Sequence, residues 1–138
     1  MLKFHLVTLF EEACDAYLRA SIIGRARKEK KITVTYQNPR DFVDNKWGKV
    51  DERPYGGGPG MVMTALPIVS AVAKTLKGFV NPTSDVGFTK PKHGRKGVII
   101  WFSPSGKQFT NKDADALAKQ SDVVLVCGRY EGIDERAK

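Results

Sequence analysis

The chain predicts an α/β domain built on a mostly parallel sheet with helices on both faces. Three observations carry that expectation. Val98 to Phe102 and Val123 to Val126 are continuous apolar runs, the pattern of strands buried on both faces. Segments with helical spacing alternate with the strand-like ones, which implies crossover connections and a parallel sheet. At 138 residues the chain has the length of one domain and can bury a real core.

The elements follow in order. Leu2 to Leu9 reads as a strand ending near Thr8. Glu11 to Lys28 reads as one helix, because Ala13, Ala16, Tyr17, Ala20 and Ile23 recur at helical spacing. Acidic residues open it and basic residues close it, complementing the macrodipole. Ile32 to Tyr36 alternates with threonines and reads as a strand, which Asn38-Pro39 ends. Arg40 to Gly60 reads as irregular. Thr64 to Leu76 reads as a helix that tolerates Pro67 in its first turn. Lys77 to Gly97 holds Pro82, Pro91, four glycines and a basic run, and reads as a long loop. The strand Val98–Phe102 leads to a turn at Ser103 to Gly106. Asn111 to Gln120 reads as a helix with Asn111 as its N-cap. The strand Asp122–Cys127 precedes the loop Gly128 to Gly132, and from Ile133 a further helix has only begun.

The net charge is +8 and the pI about 9.6, which favours a polyanionic partner, most often nucleic acid. One cluster is Arg25, Arg27, Lys28, Lys30 and Lys31; a second is Lys90, Lys92, Arg95 and Lys96. No apolar run approaches the roughly 20 residues that span a bilayer, and the N-terminus lacks a secretory cleavage pattern. Cys14 and Cys127 are far apart and form neither a disulfide framework nor a zinc motif, so a reducing cytoplasm is the expected setting.

Several chemistries are excluded by motif. There is no GxxxxGK phosphate loop, no GxGxxG fingerprint, no HExxH and no GxSxG. His5 reads as a core histidine of the first strand. In parallel sheets ligands bind beyond the carboxyl ends of the strands. Ser103 to Lys107 and Gly128 to Gly132 lie there, so they define a site from topology alone. A glycine-built pocket, a basic surface and no evident nucleophile fit group transfer from an activated donor that the protein orients. An adenosine-containing donor would set its ring near the apolar strand ends and its polar edge on the loop backbone.

The most specific stretch is Arg53-Pro-Tyr-Gly-Gly-Gly-Pro-Gly-Met61. Glycines lower the cost of positive φ and admit close approach, while Pro59 fixes φ and removes a donor. With Val50, Asp51 and Glu52 it resembles the signature of the bacterial tRNA (guanine-N1)-methyltransferases, members of the trefoil-knotted SPOUT superfamily. Val7–Phe10, Gly24–Ala26, Pro39–Phe42, Ser103–Gly106 and Val126–Arg136 resemble family segments in the same order. Glu11 stands where the family usually has proline, and Lys77 to Lys96 looks longer and more basic than usual.

The resemblance implies S-adenosylmethionine as donor and, as acceptor, N1 of the guanosine just 3′ of a tRNA anticodon, position 37. It implies a homodimer whose sites draw on both subunits, and a SPOUT-like knot that holds the cofactor. Cofactor contacts map onto Trp101, Phe102, Ser103 and Pro104, and onto Gly128, Tyr130, Glu131 and Gly132. Target-guanine contacts map onto Asp51, Arg53, Pro59, Gly60 and Met61. For Arg53 a contact to phosphate or a carbonyl oxygen stands beside an ion pair with Asp51 or Glu52. For Glu131 a place near the sulfonium stands beside capping the next helix. The family's third cofactor loop, its general-base Asp and its C-terminal tRNA-gripping domain are expected beyond Lys138. The chain is therefore expected to be the amino-terminal portion of a longer enzyme, inactive or nearly so alone, with an incomplete knot. Magnesium suits an enzyme acting on a polyanion, but no carboxylate cluster argues for a protein-bound ion. A non-catalytic RNA-binding domain and a SPOUT methyltransferase for another RNA are the alternative functions.

Overall fold

A computed structural model describes residues 1–77 and 97–138. The elements are β1 (Leu2–Val7), α1 (Glu11–Leu18), α2 (Ser21–Lys28), β2 (Ile32–Gln37), β3 (Asp51–Glu52), β4 (Val62–Met63), α3 (Ala65–Lys77), β5 (Gly97–Trp101), α4 (Asn111–Ala118) and β6 (Asp122–Val126). β1, β2, β5 and β6 form one parallel sheet in the order β2-β1-β6-β5. β3 and β4 form a separate antiparallel pair, Asp51 opposite Met63 and Glu52 opposite Val62.

The continuous apolar runs become the strands β5 and β6. β6 is buried as its composition predicts, whereas β5 lies at the edge of the described sheet and its residues stay partly exposed, a correction to the expectation of burial on both faces. Val7, Val124 and Val126 point to one face, where Ile68, Ala71 and Val72 of α3 close the core with Met63 and Val50. Leu6 and Tyr36 share a register position and face the other way. There α1 and α2 are tied to β2: Asp15 accepts hydrogen bonds from Arg27 Nη1 at 2.8 Å and Tyr36 OH at 2.9 Å, and also pairs with Arg19. The steps β1 to β2 and β5 to β6 run in the same direction across the sheet. Right-handed crossovers therefore set α4 on the α1–α2 face.

Four sequence expectations need correction. The helix read over Glu11 to Lys28 is two helices. Ser21 takes φ +50° at the joint, and the buried Gly24 sits so close to Arg19 that a Cβ would collide with its carbonyl oxygen. Periodicity continues through this joint, which is why the sequence reads as one helix. The N-cap of α4 is Thr110, not Asn111: Asp113 N–H donates to Thr110 Oγ1 at 3.4 Å and Thr110 N–H donates to Asp113 Oδ2 at 2.9 Å, a capping box. The stretch read as irregular holds a 3-10 turn at Pro39–Phe42, started by Asn38, and then β3. Finally, Ile133 does not open a helix. It bridges in parallel to Met63, and only Glu135–Ala137 makes a 3-10 turn.

His5 is structural, as expected. Its ring lies 2.7 Å from Thr35 Oγ1 and 3.0 Å from the carboxylate of the fully buried Asp122. The basic run Lys90 to Lys96, with most of the long loop read over Lys77 to Gly97, lies outside the described residues. Among the described residues no helix is long and apolar enough to cross a membrane.

Candidate active site

The parallel strands β5 and β6 end side by side, with Trp101 in register with Val126. The two chain segments that leave them enclose a cavity of about 400 Å³. Trp101, Phe102, Ser103 and Pro104 form one wall; Gly128, Tyr130, Glu131 and Gly132 form the other. All the residues mapped onto cofactor contacts are thus brought to one place. Cys127, Arg129, Ile133, Glu135 and Lys138 line it too, outside the set that the resemblance maps onto cofactor contacts. Cys127 and Arg129 flank Gly128, so their adjacency was the available signal.

Each wall is fixed locally. Ser103 Oγ lies 2.8 Å from Ser105 Oγ, and Gly106 N–H closes the turn on Ser103 O at 3.0 Å. Opposite, a Cβ on Gly128 would stand 3.1 Å from Ile133 Cγ1, so glycine lets the loop fold back on Ile133. Tyr130 adopts φ +60°, costly for a bulky residue. The Arg129 guanidinium lies 4.6 Å from the centroid of Phe10 and 5.4 Å from that of Tyr130, a cation held between two rings. Burial, with a smaller contribution from Cys14, pushes the Cys127 thiol above its ordinary range.

The glycine segment is welded to this pocket. After the turn closed by Gly57 N–H on Pro54 O at 3.0 Å, the chain runs beside residues 131–134. Glu131 N–H donates to Met61 O at 3.0 Å, Met63 N–H to Gly132 O at 3.0 Å and Asp134 N–H to Met63 O at 2.9 Å. Gly60, at φ +86°, rests on the Glu131 side chain; a Cβ there would stand 2.5 Å from Glu131 Cγ. This long-range contact carries no local sequence signal.

The residues mapped onto guanine contacts are divided. Arg53 shares a cavity of about 750 Å³ with Glu131, Asp134 and Arg136. Among the described residues it pairs with neither Asp51 nor Glu52, so the ion-pair reading of Arg53 is not realised. Asp51 opens instead onto a groove of about 730 Å³ with Trp47, Leu66 and Arg136. Pro59, Gly60 and Met61 line none of these cavities; Met61 and Gly60 contact Glu131. Glu131 is not a helix cap, since the segment after it is extended against Met63. Asp134 is held by the fork of Arg136, with Nη2–Oδ2 at 2.6 Å, which lowers its pKa to about 2. Among the described residues no group of three or more His, Cys, Asp or Glu side chains converges as a metal-binding set.

A parallel α/β sheet with a glycine-built cleft beyond its strand ends has the layout of an α/β ligand-binding domain. Comparison sharpens this. Residues 2–138 match the family described as tRNA (Guanine-1)-methyltransferase TrmD, and the chain belongs to that family. It is 37% identical over 136 residues to the tRNA (guanine-N(1)-)-methyltransferase of Buchnera aphidicola, covering 99% of this chain and 46% of that one. The enzyme of that name from Clostridium acetobutylicum is 40% identical, covering 98% of this chain and 49% of the relative. The crystal structure of tRNA (m1G37) methyltransferase from Aquifex aeolicus superposes with a TM-score of 0.77 at 31% identity, covering 99% of this chain and 55% of that one. The fold is therefore the SPOUT-like α/β fold read from the sequence. The chain spans about half the length of the relatives it matches.

Proposed function

We propose that the protein transfers a methyl group from S-adenosylmethionine to N1 of the guanosine at position 37 of tRNA. Family membership supports the reaction class. The observation that carries the assignment to these residues is the single cavity bounded by Trp101–Pro104 and Gly128–Gly132, with the glycine segment bonded to its rim. The cavity fits the donor: about 400 Å³ lies in the range of small-molecule sites, with aromatic residues and Glu131 in its lining. When bound, S-adenosylmethionine supplies a methyl group on a cationic sulfur.

This chain's residues then have definite tasks. Trp101 and Phe102 offer flat apolar surface to an adenine ring. Glu131 offers negative charge to the sulfonium, and its backbone fixes Met61. The Gly56–Gly60 segment receives a guanine that has left its stack, as attack at a ring nitrogen requires. Arg53, which makes no ion pair among the described residues and lines the same cavity as Glu131, meets phosphate or the guanine carbonyl oxygen. A base must take the N1 proton as the methyl arrives. The family resemblance puts that group in an Asp with no counterpart in these 138 residues.

The same reading includes a homodimer, a knot that these 138 residues form only in part, and a cytoplasmic setting. Exposed Trp47 and Leu66 beside the Asp51 groove are apolar surface consistent with a subunit contact. Sedimentation as a dimer supports that reading, and a monomer at all concentrations refutes it. The activity is tested with radiolabelled S-adenosylmethionine and tRNA transcripts. Label incorporation that disappears when guanosine 37 is replaced by adenosine supports the assignment. Equal incorporation into both transcripts favours another RNA target, and tRNA binding indifferent to the cofactor favours a non-catalytic RNA-binding domain. We propose further that these 138 residues alone methylate weakly; near-normal turnover defeats that point.

A further inference from the structure

Arg25, Lys28 and Lys30 are exposed and take no part in the site described above. Lys28 to Lys31 lead into Ile32, the first residue of β2, so this group lies at the amino-terminal edge of the sheet. The cavity lies beyond the carboxyl ends, roughly 20 Å away at about 3.3 Å per strand residue. Neighbouring cations are already engaged: Arg19 and Arg27 by Asp15, and Lys31 by Glu29 at 2.6 Å. Among the described residues Arg25, Lys28 and Lys30 engage no carboxylate.

The helix macrodipole explains cations in the last turn of α2. It does not explain Lys30. Lys30 has φ +55°, and its N–H donates to Arg27 O at 3.0 Å while Lys31 N–H donates to Ala26 O at 2.9 Å. That is a Schellman closure with lysine at the left-handed position, where glycine is the unstrained choice. Arg25 and Lys28 stand one turn apart on the same helix face with like charge, also unfavourable. Among the described residues three cations thus stand together without a carboxylate partner, and Lys30 holds a backbone position that glycine would occupy without strain.

We propose that Arg25, Lys28 and Lys30 form an RNA-backbone contact surface at the end of the sheet remote from the methyl-transfer pocket. It binds phosphates of the same tRNA several nucleotides from the target guanosine; this rests on the reading of tRNA as substrate. Backbone contacts release counterions, so they register in the salt dependence of binding rather than in base selectivity.

The test is fluorescence-anisotropy titration of tRNA over a range of KCl, with thermal melts in parallel. Lys30→Gly is expected to raise the Tm by a few degrees and to reduce the slope of log K against log[KCl] by about 1. Combining it with Arg25→Gln and Lys28→Gln is expected to reduce the slope by about 2 to 3 and the affinity at least tenfold at 0.1 M KCl. The losses should be equal for tRNA with guanosine or adenosine at position 37. An unchanged slope and affinity in the triple variant overturns the surface, whatever the methylation assay shows. Loss of binding in the variants, with methylation that ignores guanosine 37, overturns the substrate reading and leaves the surface standing. Absence of tRNA binding by the unsubstituted protein overturns both.

Discussion

Two glycines of the same segment answer to different physics. Gly57 and Gly60 both have φ +86°, but nothing lies within 4 Å of a Cβ built on Gly57, whereas Glu131 fills that place at Gly60. Gly57→Ala should cost about 1–2 kcal/mol of backbone strain and leave cofactor affinity unchanged. Gly60→Ala adds overpacking and should cost about 3 kcal/mol in all. It should also weaken S-adenosylmethionine binding at least tenfold by displacing Glu131. Denaturant melts and calorimetric titration separate the two variants. Trp101 is a built-in reporter at the cavity wall, so its emission should change on cofactor binding, and Trp101→Phe should abolish the signal while distant Trp47 remains. At this scale much of the site was legible. Trp101–Pro104 and Gly128–Gly132 are contiguous stretches at strand ends, and contiguity survives folding. The Glu131–Gly60 contact and the Arg129 stack on Phe10 join residues far apart in sequence, and no spacing rule encodes them.

Elements obey the same division. β6 is legible because a strand buried on both faces must be apolar throughout; β5 is apolar along its length although it forms the edge of the described sheet. β3 and β4 have two residues each, too few for any period, and they exist because Met63 is buried between α3 and residues 132–134. The break between α1 and α2 is tertiary: Gly24 is needed because of Arg19, not because of its own helix. Gly24→Ala should therefore destabilise by well over the ~1 kcal/mol gain in helix propensity that the exchange offers elsewhere, as urea melts would show. The Asp15 network that holds both helices to β2 sets a pH range. Hydrogen bonds from Arg27 and then Tyr36 lower the Asp15 pKa, so its contribution is present above the unfolded pKa of 3.8 and is lost as pH falls below it. Burial and then the bond to Asp15 raise Tyr36 from 10.0 to about 12, so its contribution is intact below 10.0 and disappears as pH rises toward about 12. Tyr36→Phe should lower the Tm at neutral pH and flatten the alkaline limb of a Tm–pH profile.

At the scale of the molecule, sheet order places the three connections and so determines which loops can meet. The composition predicts an α/β layer structure, and right-handed crossovers set α1, α2 and α4 opposite α3. The order β2-β1-β6-β5 itself was not readable, because apolar content does not rank the strands: β5 is apolar throughout yet lies at an edge, while β1, with Lys3 and His5, is central. Charge behaves differently. The excess of +8 was visible at once, but its meaning depends on which cations are already paired, and only coordinates show that Asp15 and Glu29 neutralise part of the first cluster. Raising ionic strength should weaken tRNA binding steeply while leaving S-adenosylmethionine affinity nearly constant, since one ligand is a polyanion and the other enters a pocket. Parallel titrations in 0.05 M and 0.5 M KCl would check this.

The ribbon of backbone hydrogen bonds between Met61–Met63 and Glu131–Asp134 joins the Gly128–Gly132 wall and the glycine segment into one mechanical piece. Neither can shift without straining the other. On the proposed assignment, any change that one ligand makes in the affinity for the other must be matched by the same factor in the reverse direction. Cofactor titrations with and without tRNA, and tRNA titrations with and without a non-reactive cofactor analogue, should return the same ratio.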